Sequence, residues 1–183
     1  MADIKRETQA AIIDGELDFG ILLTSCPLLQ SCLLETLRLD GNTITARGVA
    51  ESRELSGKVV KQGNRVLIPH RVLNRDELIW GRNSEAFQAD RFIKDKSLET
   101  NPAYRPFGGG STYCPGRVIA KLQISIFIAV FLDEFEVELV PGQQFPTIDN
   151  TQPSVGTTGP SPDTDVRVVM SRSGVFKLDR ANV

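Results

Sequence analysis

Between residues 105 and 117 the chain reads RPFGGGSTYCPGR and runs straight into the apolar segment VIAKLQISIFIAVFL. Three consecutive glycines allow a tight loop that side chains would obstruct, and Pro115 with Gly116 suits the opening of a helix. Residues 116–134 are apolar nearly all round, so the expected helix calls for burial on every side. Lys121, Gln123 and Ser125 interrupt the run, which falls short of the roughly 20 residues that span a bilayer, and no membrane span is expected. The fold has to bring a glycine-rich loop to the N-terminus of a buried helix and hold Cys114 at the junction.

Three uses are open to such a loop: cradling a phosphate, holding a metal, or turning a corner. A Walker-type phosphate loop needs Lys and then Ser or Thr after its glycines, whereas Gly110 is followed by Ser-Thr-Tyr-Cys. A closed zinc site needs about four Cys or His ligands, and the chain has only Cys26, Cys32, Cys114 and the lone His70, scattered. A single-cysteine ligand remains. Gly108 to Gly110 let backbone pass close to a flat, bulky group, and the helix N-terminal amides after Cys114 favour negative charge at its sulfur. A glycine-rich turn with a buried structural cysteine stands as the other reading.

The rest of the chain is that of one domain, since 183 residues suffice for one core and are too few for two. A net charge of −2 argues against nucleic acid, and three cysteines without paired spacing argue against a disulfide scaffold. Residues 1–13 read as a surface helix stopped by Asp14-Gly15. Residues 27–39 read as a helix opened by Pro27, with Leu29, Cys32, Leu33 and Leu37 on one face. The β-branched runs ITARGV, GKVV and RVLI between Thr43 and Ile68 predict a small antiparallel sheet. Residues 74–105 lack periodicity and read as an ordered irregular region pinned by Trp80, Phe87, Phe92 and Tyr104. Beyond Val140 only VRVVM (166–170) and VFKL (175–178) read as strands, in a loose hairpin region. Cys26 and Cys32 are expected to be buried as small hydrophobes, and His70 to be a satisfied structural histidine.

The loop, with Phe107, Gly108, Gly110, Cys114 and Gly116 at their spacing, resembles the haem-binding signature of the cytochrome P-450 superfamily, the haem-thiolate monooxygenases. The likeness is fungal-like and extends beyond the loop. Glu35 and Arg38 in LLETLRL match the family's Glu-x-x-Arg pair, and Arg91 in FQADRF stands where the family has an aromatic-bounded arginine. The resemblance implies a mainly α fold with small β-sheets (α+β), corresponding to the C-terminal portion of the cytochrome P-450 fold, with residues 1–183 as a single partial domain. It implies haem as cofactor, Cys114 as the iron ligand, and Glu35, Arg38 and Arg91 as an ion-paired structural triad. Arg47 matches a basic residue that contacts a haem propionate, a strand-surface charge being its other reading. A basic residue usually stands two places before the cysteine and meets a propionate, and here that place is Thr112. Thr43 and Ile44 correspond to a substrate-contacting strand, and Gly156 and Thr157 to a second substrate-contacting turn.

By the same resemblance the chain is an oxidoreductase that oxidises a small hydrophobic substrate with dioxygen and takes electrons from a flavoprotein reductase. Lys94, Lys96, Arg105, Arg117 and Lys121 cluster in sequence around the loop, where basic charge would steer an acidic reductase, a merely solvated surface being the default reading. The family's distal helix, with its acidic residue and threonine, has no counterpart in this sequence. A shortened enzyme is therefore expected, with a noncatalytic haem-binding or folding-deficient fragment as the alternative. Full-length relatives often sit at the endoplasmic reticulum membrane, and localisation of this chain is left open.

Overall fold

The computed structural model describes residues 1–142, 146, 159–161 and 168–172. Helix α1 (Ala2–Gln9) ends earlier than its sequence suggested, because Asp14 and Gly15 both take positive φ and turn a hairpin between β1 (Ile12–Ile13) and β2 (Glu16–Leu17). Helix α2 (Phe19–Thr24) follows, unanticipated from the sequence, with the Asp18 side chain accepting the Ile21 N–H at its start.

Helix α3 (Pro27–Asp40) opens at Pro27, and its N-cap residue Cys26 makes no side-chain cap. The Glu7 carboxylate of α1 supplies one instead, accepting the N–H groups of Leu28 and Leu29 at 2.9–3.0 Å. The buried side of α3 differs from the expected stripe. Leu29, Leu33, Leu34 and Leu39 are buried with Glu35 and Arg38, while Cys32 and Leu37 are half-buried, because α3 is packed on two sides.

On one side Leu29 joins Ala11, Leu22, Cys26 and Ala129 in a core made by α1, α2, α3 and α7 (Arg117–Glu134). On the other, Leu34 joins Trp80, Phe92, Leu98 and Tyr104. The rings of Trp80 and Tyr104 meet edge to face at 5.7 Å, an arrangement that suits aromatic quadrupoles. Phe87 takes no part and is exposed, so three of the four expected aromatics pin the irregular region.

The β structure is a set of small antiparallel pairs. Strands β3 (Ile44–Gly48) and β6 (Arg65–Pro69) pair from Ile44↔Pro69 to Gly48↔Arg65, and the hairpin of β4 (Arg53–Leu55) and β5 (Lys58–Val60) lies within their connection. Short helices α4 (His70–Leu73), α5 (Glu77–Trp80) and α6 (Arg91–Lys94) punctuate the meander. After α7 the chain enters β7 (Phe135–Leu139), which pairs with β8 (Val168–Arg172), so the second half of VRVVM belongs to a pair closed by a distant strand. The segment 175–178 lies outside the described residues.

Burial of α7 is one-sided, contrary to the all-round expectation. Ser125, Ala129 and Leu132 face the core, while Val118, Ile119 and Phe127 are exposed, Phe127 by 63%. Helices α1, α2 and α3 cover one side, and no described element covers the other. No helix among the described residues is long and apolar enough to cross a membrane.

Candidate functional site

The Cys loop is closed by its own backbone. The Cys114 N–H donates to the Phe107 carbonyl at 3.0 Å, the Gly108 N–H to Arg105 at 3.0 Å, and the Tyr113 N–H to Gly110 at 3.2 Å. Gly108 and Gly110 take φ of +78° and +65°, which side chains resist, so two of the three glycines are required by the turn itself. Gly109 is different. Its backbone is extended, but a Cβ there would lie 2.3 Å from Arg105 Nη1, so its missing side chain makes room for a guanidinium.

Cys114 is half-buried and free, and it precedes α7 with Gly116 as the N-cap. Arg117 clamps this corner by donating to the Cys114 carbonyl at 3.1 Å while its guanidinium lies over the Tyr113 ring, 4.3 Å from the centroid. The sulfur therefore sits on a hydrogen-bonded turn at the positive end of an 18-residue helix.

Glu35, Arg38 and Arg91 come together in the second core. Glu35 and Arg38 are fully buried and Arg91 is 6% exposed. Arg38 donates to both Glu35 oxygens at 2.8 Å, and Arg91 Nε donates to the same carboxylate at 3.0 and 3.1 Å. The remaining guanidinium donors go to meander carbonyls, those of Asn74, Ser84 and Ala86 from Arg38 and those of Trp80, Asn83 and Ala86 from Arg91. A meander without ladder partners must satisfy its buried carbonyls somehow, and the two planar forks do so. Burial pushes the Glu35 carboxyl up, but the hydrogen bonds from Arg38, the Gln88 N–H and Arg91 outweigh it and hold the group below the usual carboxylate range. Tyr104, two residues before the motif's Pro106, ties the loop to this core by donating its hydroxyl to the Leu34 carbonyl at 2.8 Å.

Arg47 lies on β3 and reaches the Cys loop, donating from Nη2 to the Thr112 hydroxyl at 2.6 Å. Ile44 opens the same strand and is exposed, and Thr43 immediately precedes it, its carbonyl accepting the His70 N–H at 3.1 Å. Gly156 and Thr157 lie outside the described residues. The basic residues flanking the loop are partly engaged, Lys94 with Asp90 at 2.8 Å and Lys121 with Glu99 at 3.4 Å.

His70 is buried and its Nε2 lies 2.7 Å from the Thr45 hydroxyl, but its Nδ1 has no partner, so the histidine expected to be satisfied is only half so. It lines a cavity of about 410 Å³ together with Thr45, Arg47, Arg105, Gly109 and Gly110. In the sequence Arg105 stands out only as one of a basic cluster around the loop. Its place in the loop, two residues before Phe107, was the signal available.

Comparison with known proteins gives a consistent result. The family model for Cytochrome P450 matches residues 3–165. The cytochrome P450 monooxygenase calL of Penicillium decumbens is 32% identical over 166 residues, covering 82% of this chain and 31% of the relative. The monooxygenase nodJ of Hypoxylon pulicicidum is 28% identical over 199 residues, covering 98% of this chain and 38% of the relative. Among solved structures, cyanobacterial CYP120A1 with retinoic acid bound superposes with a TM-score of 0.75 at 26% identity, covering 94% of this chain and 39% of that one. The chain thus spans about a third of the length of the curated relatives it matches.

Proposed function

This chain belongs to the cytochrome P450 family, and on that footing we propose that residues 1–183 are the haem-holding portion of one haem-thiolate monooxygenase domain, with Cys114 as the iron ligand. The observation that carries the reading is the Cys114 corner: a free, half-buried sulfur on a glycine loop closed by the Phe107 carbonyl, at the N-terminus of a long helix. The residues present fit a flat group carrying carboxylates. Gly108, Gly109 and Gly110 keep side chains off the loop, and the unpartnered His70 Nδ1 shares a cavity with Arg47 and Arg105.

Haem ligated by a thiolate, when bound, supplies dioxygen activation for oxidising a hydrophobic substrate. The protein's share is positional. Phe107 and the three glycines shape the loop, Gly116 starts the helix that directs its dipole at the sulfur, and Arg47 holds a cation beside Thr112. The Glu35–Arg38–Arg91 triad braces the meander that leads into the loop. Electrons would come from a flavoprotein reductase attracted to the basic residues around the loop, and Thr43 and Ile44 would meet substrate.

Protein reconstituted with haem, then reduced under carbon monoxide, is expected to give the red-shifted Soret band of thiolate ligation, and Cys114→Ala to lose it. A spectrum without that band, identical in both proteins, would sink the reading. The exposed apolar side of α7 favours a second reading, in which this chain holds haem but turns over no substrate by itself. Reductant-driven oxygen consumption without product, in protein that shows the band, would select it.

A further inference from the structure

The cavity beside the Cys loop has the chemistry of a carboxylate site. Arg47 and Arg105 both line it, and no Asp or Glu stands among its lining residues. Two guanidinium groups facing one space without an acid between them repel each other unless an anion or water separates them. The third group is His70, 3% exposed, whose Nε2 is occupied by the Thr45 hydroxyl while its Nδ1 has no partner. A buried nitrogen left without a hydrogen bond is desolvated without compensation, so a ligand that bonds to it is favoured. Burial and the nearby Arg105 charge hold His70 below the usual histidine range, which keeps the imidazole neutral, with one N–H to give.

The two arginines are set around Thr112 and Gly109. Thr112 occupies the place where the resemblance sets a cation, and its hydroxyl instead accepts Arg47 Nη2 at 2.6 Å and donates to the Gly109 carbonyl at 3.3 Å. Thr112 therefore acts as a bracket for the strand cation. The charge missing from position 112 is present at Arg105, whose Nε is anchored on the Pro102 carbonyl at 2.6 Å and whose Nη1 occupies the space that a side chain on Gly109 would fill.

We propose that Arg105, with the His70 Nδ1–H beside it, binds a haem propionate in this cavity and takes the part that a basic residue at position 112 would play, while Thr112 orients Arg47 toward the same carboxylate. The inference rests on the haem reading above. Planar guanidinium forks match a carboxylate in both geometry and charge, and a neutral imidazole donor adds a further bond.

Two porphyrins separate the carboxylate contribution from the iron contribution: iron protoporphyrin IX and its dimethyl ester, each titrated into the protein by Soret absorbance. The unaltered protein is expected to prefer the free acid by about tenfold or more, the strength of one or two charge-assisted hydrogen bonds. Arg105→Met should bring the two porphyrins to within about threefold, and Thr112→Arg in that background should restore the preference. Gly109→Ala leaves every charge in the sequence but drives the Arg105 guanidinium from its place, and should lower the preference as Arg105→Met does. The carbon monoxide band of the unaltered protein scores the haem reading separately. With that band present, an unchanged preference in both Arg105→Met and Gly109→Ala overturns the propionate assignment alone, and absence of the band overturns both.

Discussion

Glu35→Gln tests the buried triad most directly, because glutamine keeps the shape of the side chain and removes only its charge. In the native protein one carboxylate, wholly buried, stands between two guanidinium groups and accepts from Arg38 Nε and Nη2, Arg91 Nε and the Gln88 N–H at 2.8–3.1 Å. The amide leaves two buried cations facing each other and turns one accepting oxygen into a donor aimed at donors. Removing one member of a buried ion pair costs about 3–5 kcal/mol, whereas an exposed Glu-x-x-Arg pair on a helix contributes only about 0.2–0.5 kcal/mol, so the two situations differ by an order of magnitude. Against a total stability of about 5–15 kcal/mol, the larger figure would unfold a marginal domain or nearly so.

The assay is urea denaturation followed by the emission of Trp80, the single tryptophan, which lies 5.0 Å beneath the Arg38 guanidinium, with far-ultraviolet circular dichroism as a second probe. A loss of about 3–5 kcal/mol is expected, with Trp80 emission shifted to the red because the meander carbonyls are held by the same forks. A loss under about 1 kcal/mol would refute the argument, since it would mean that the pair is solvated or that the meander holds itself. The pH profile adds a second check. The Glu35 carboxyl sits below its unfolded value of about 4.3, so its stabilisation is complete above that pH and is lost as pH falls through the lower folded value. Glu35→Gln should flatten that acid limb.

Two further outcomes follow from the same geometry. Tyr104→Phe removes the hydroxyl that donates to the Leu34 carbonyl but keeps the ring packed on Trp80 and Phe92, and should cost about 1 kcal/mol in thermal or urea unfolding. A cost above about 3 kcal/mol would show that the hydroxyl does more than tie the loop to α3. His70 is held neutral by burial and by Arg105, so the unfolded chain binds its proton first: in the absence of haem, stability should fall as pH drops below about 6.5, well before the Glu35 limb begins. His70→Gln should abolish that upper limb in pH-dependent urea midpoints, and a limb that survives the substitution would assign it to another group.

Much of the site was legible because its residues are close in sequence or carry strong local preferences. The glycines, Pro115 and Cys114 announce a loop feeding a helix, and Glu35 with Arg38 lie one helical turn apart. Helix α3 was readable from Pro27 and its leucines to within a residue, as Asp40 closes it. What the sequence leaves illegible has two causes. The hairpin at Asp14–Gly15 and helix α2 leave no signal in the sequence because two-residue strands and a six-residue helix show too little periodicity to register. Apolar residues around α7 predicted burial on all sides, but composition reports only what a helix can bury, and the elements packed on it decide what it does bury.

By itself the sequence determined the local pieces: a cysteine at a glycine loop, an acid and a base spaced for one helix face, and a threonine where a cation would be expected. Tertiary structure alone decided their partners. It brought Glu7 to cap α3, paired β7 with a strand beginning at Val168, sent the triad's donors into meander carbonyls, and set Arg105, Arg47 and His70 around one cavity. The physical reason is range. Backbone preference and helical period act over a few residues, whereas the balance of buried charge and unmet hydrogen bonds is settled between segments tens of residues apart, once packing has excluded the water that would otherwise satisfy them.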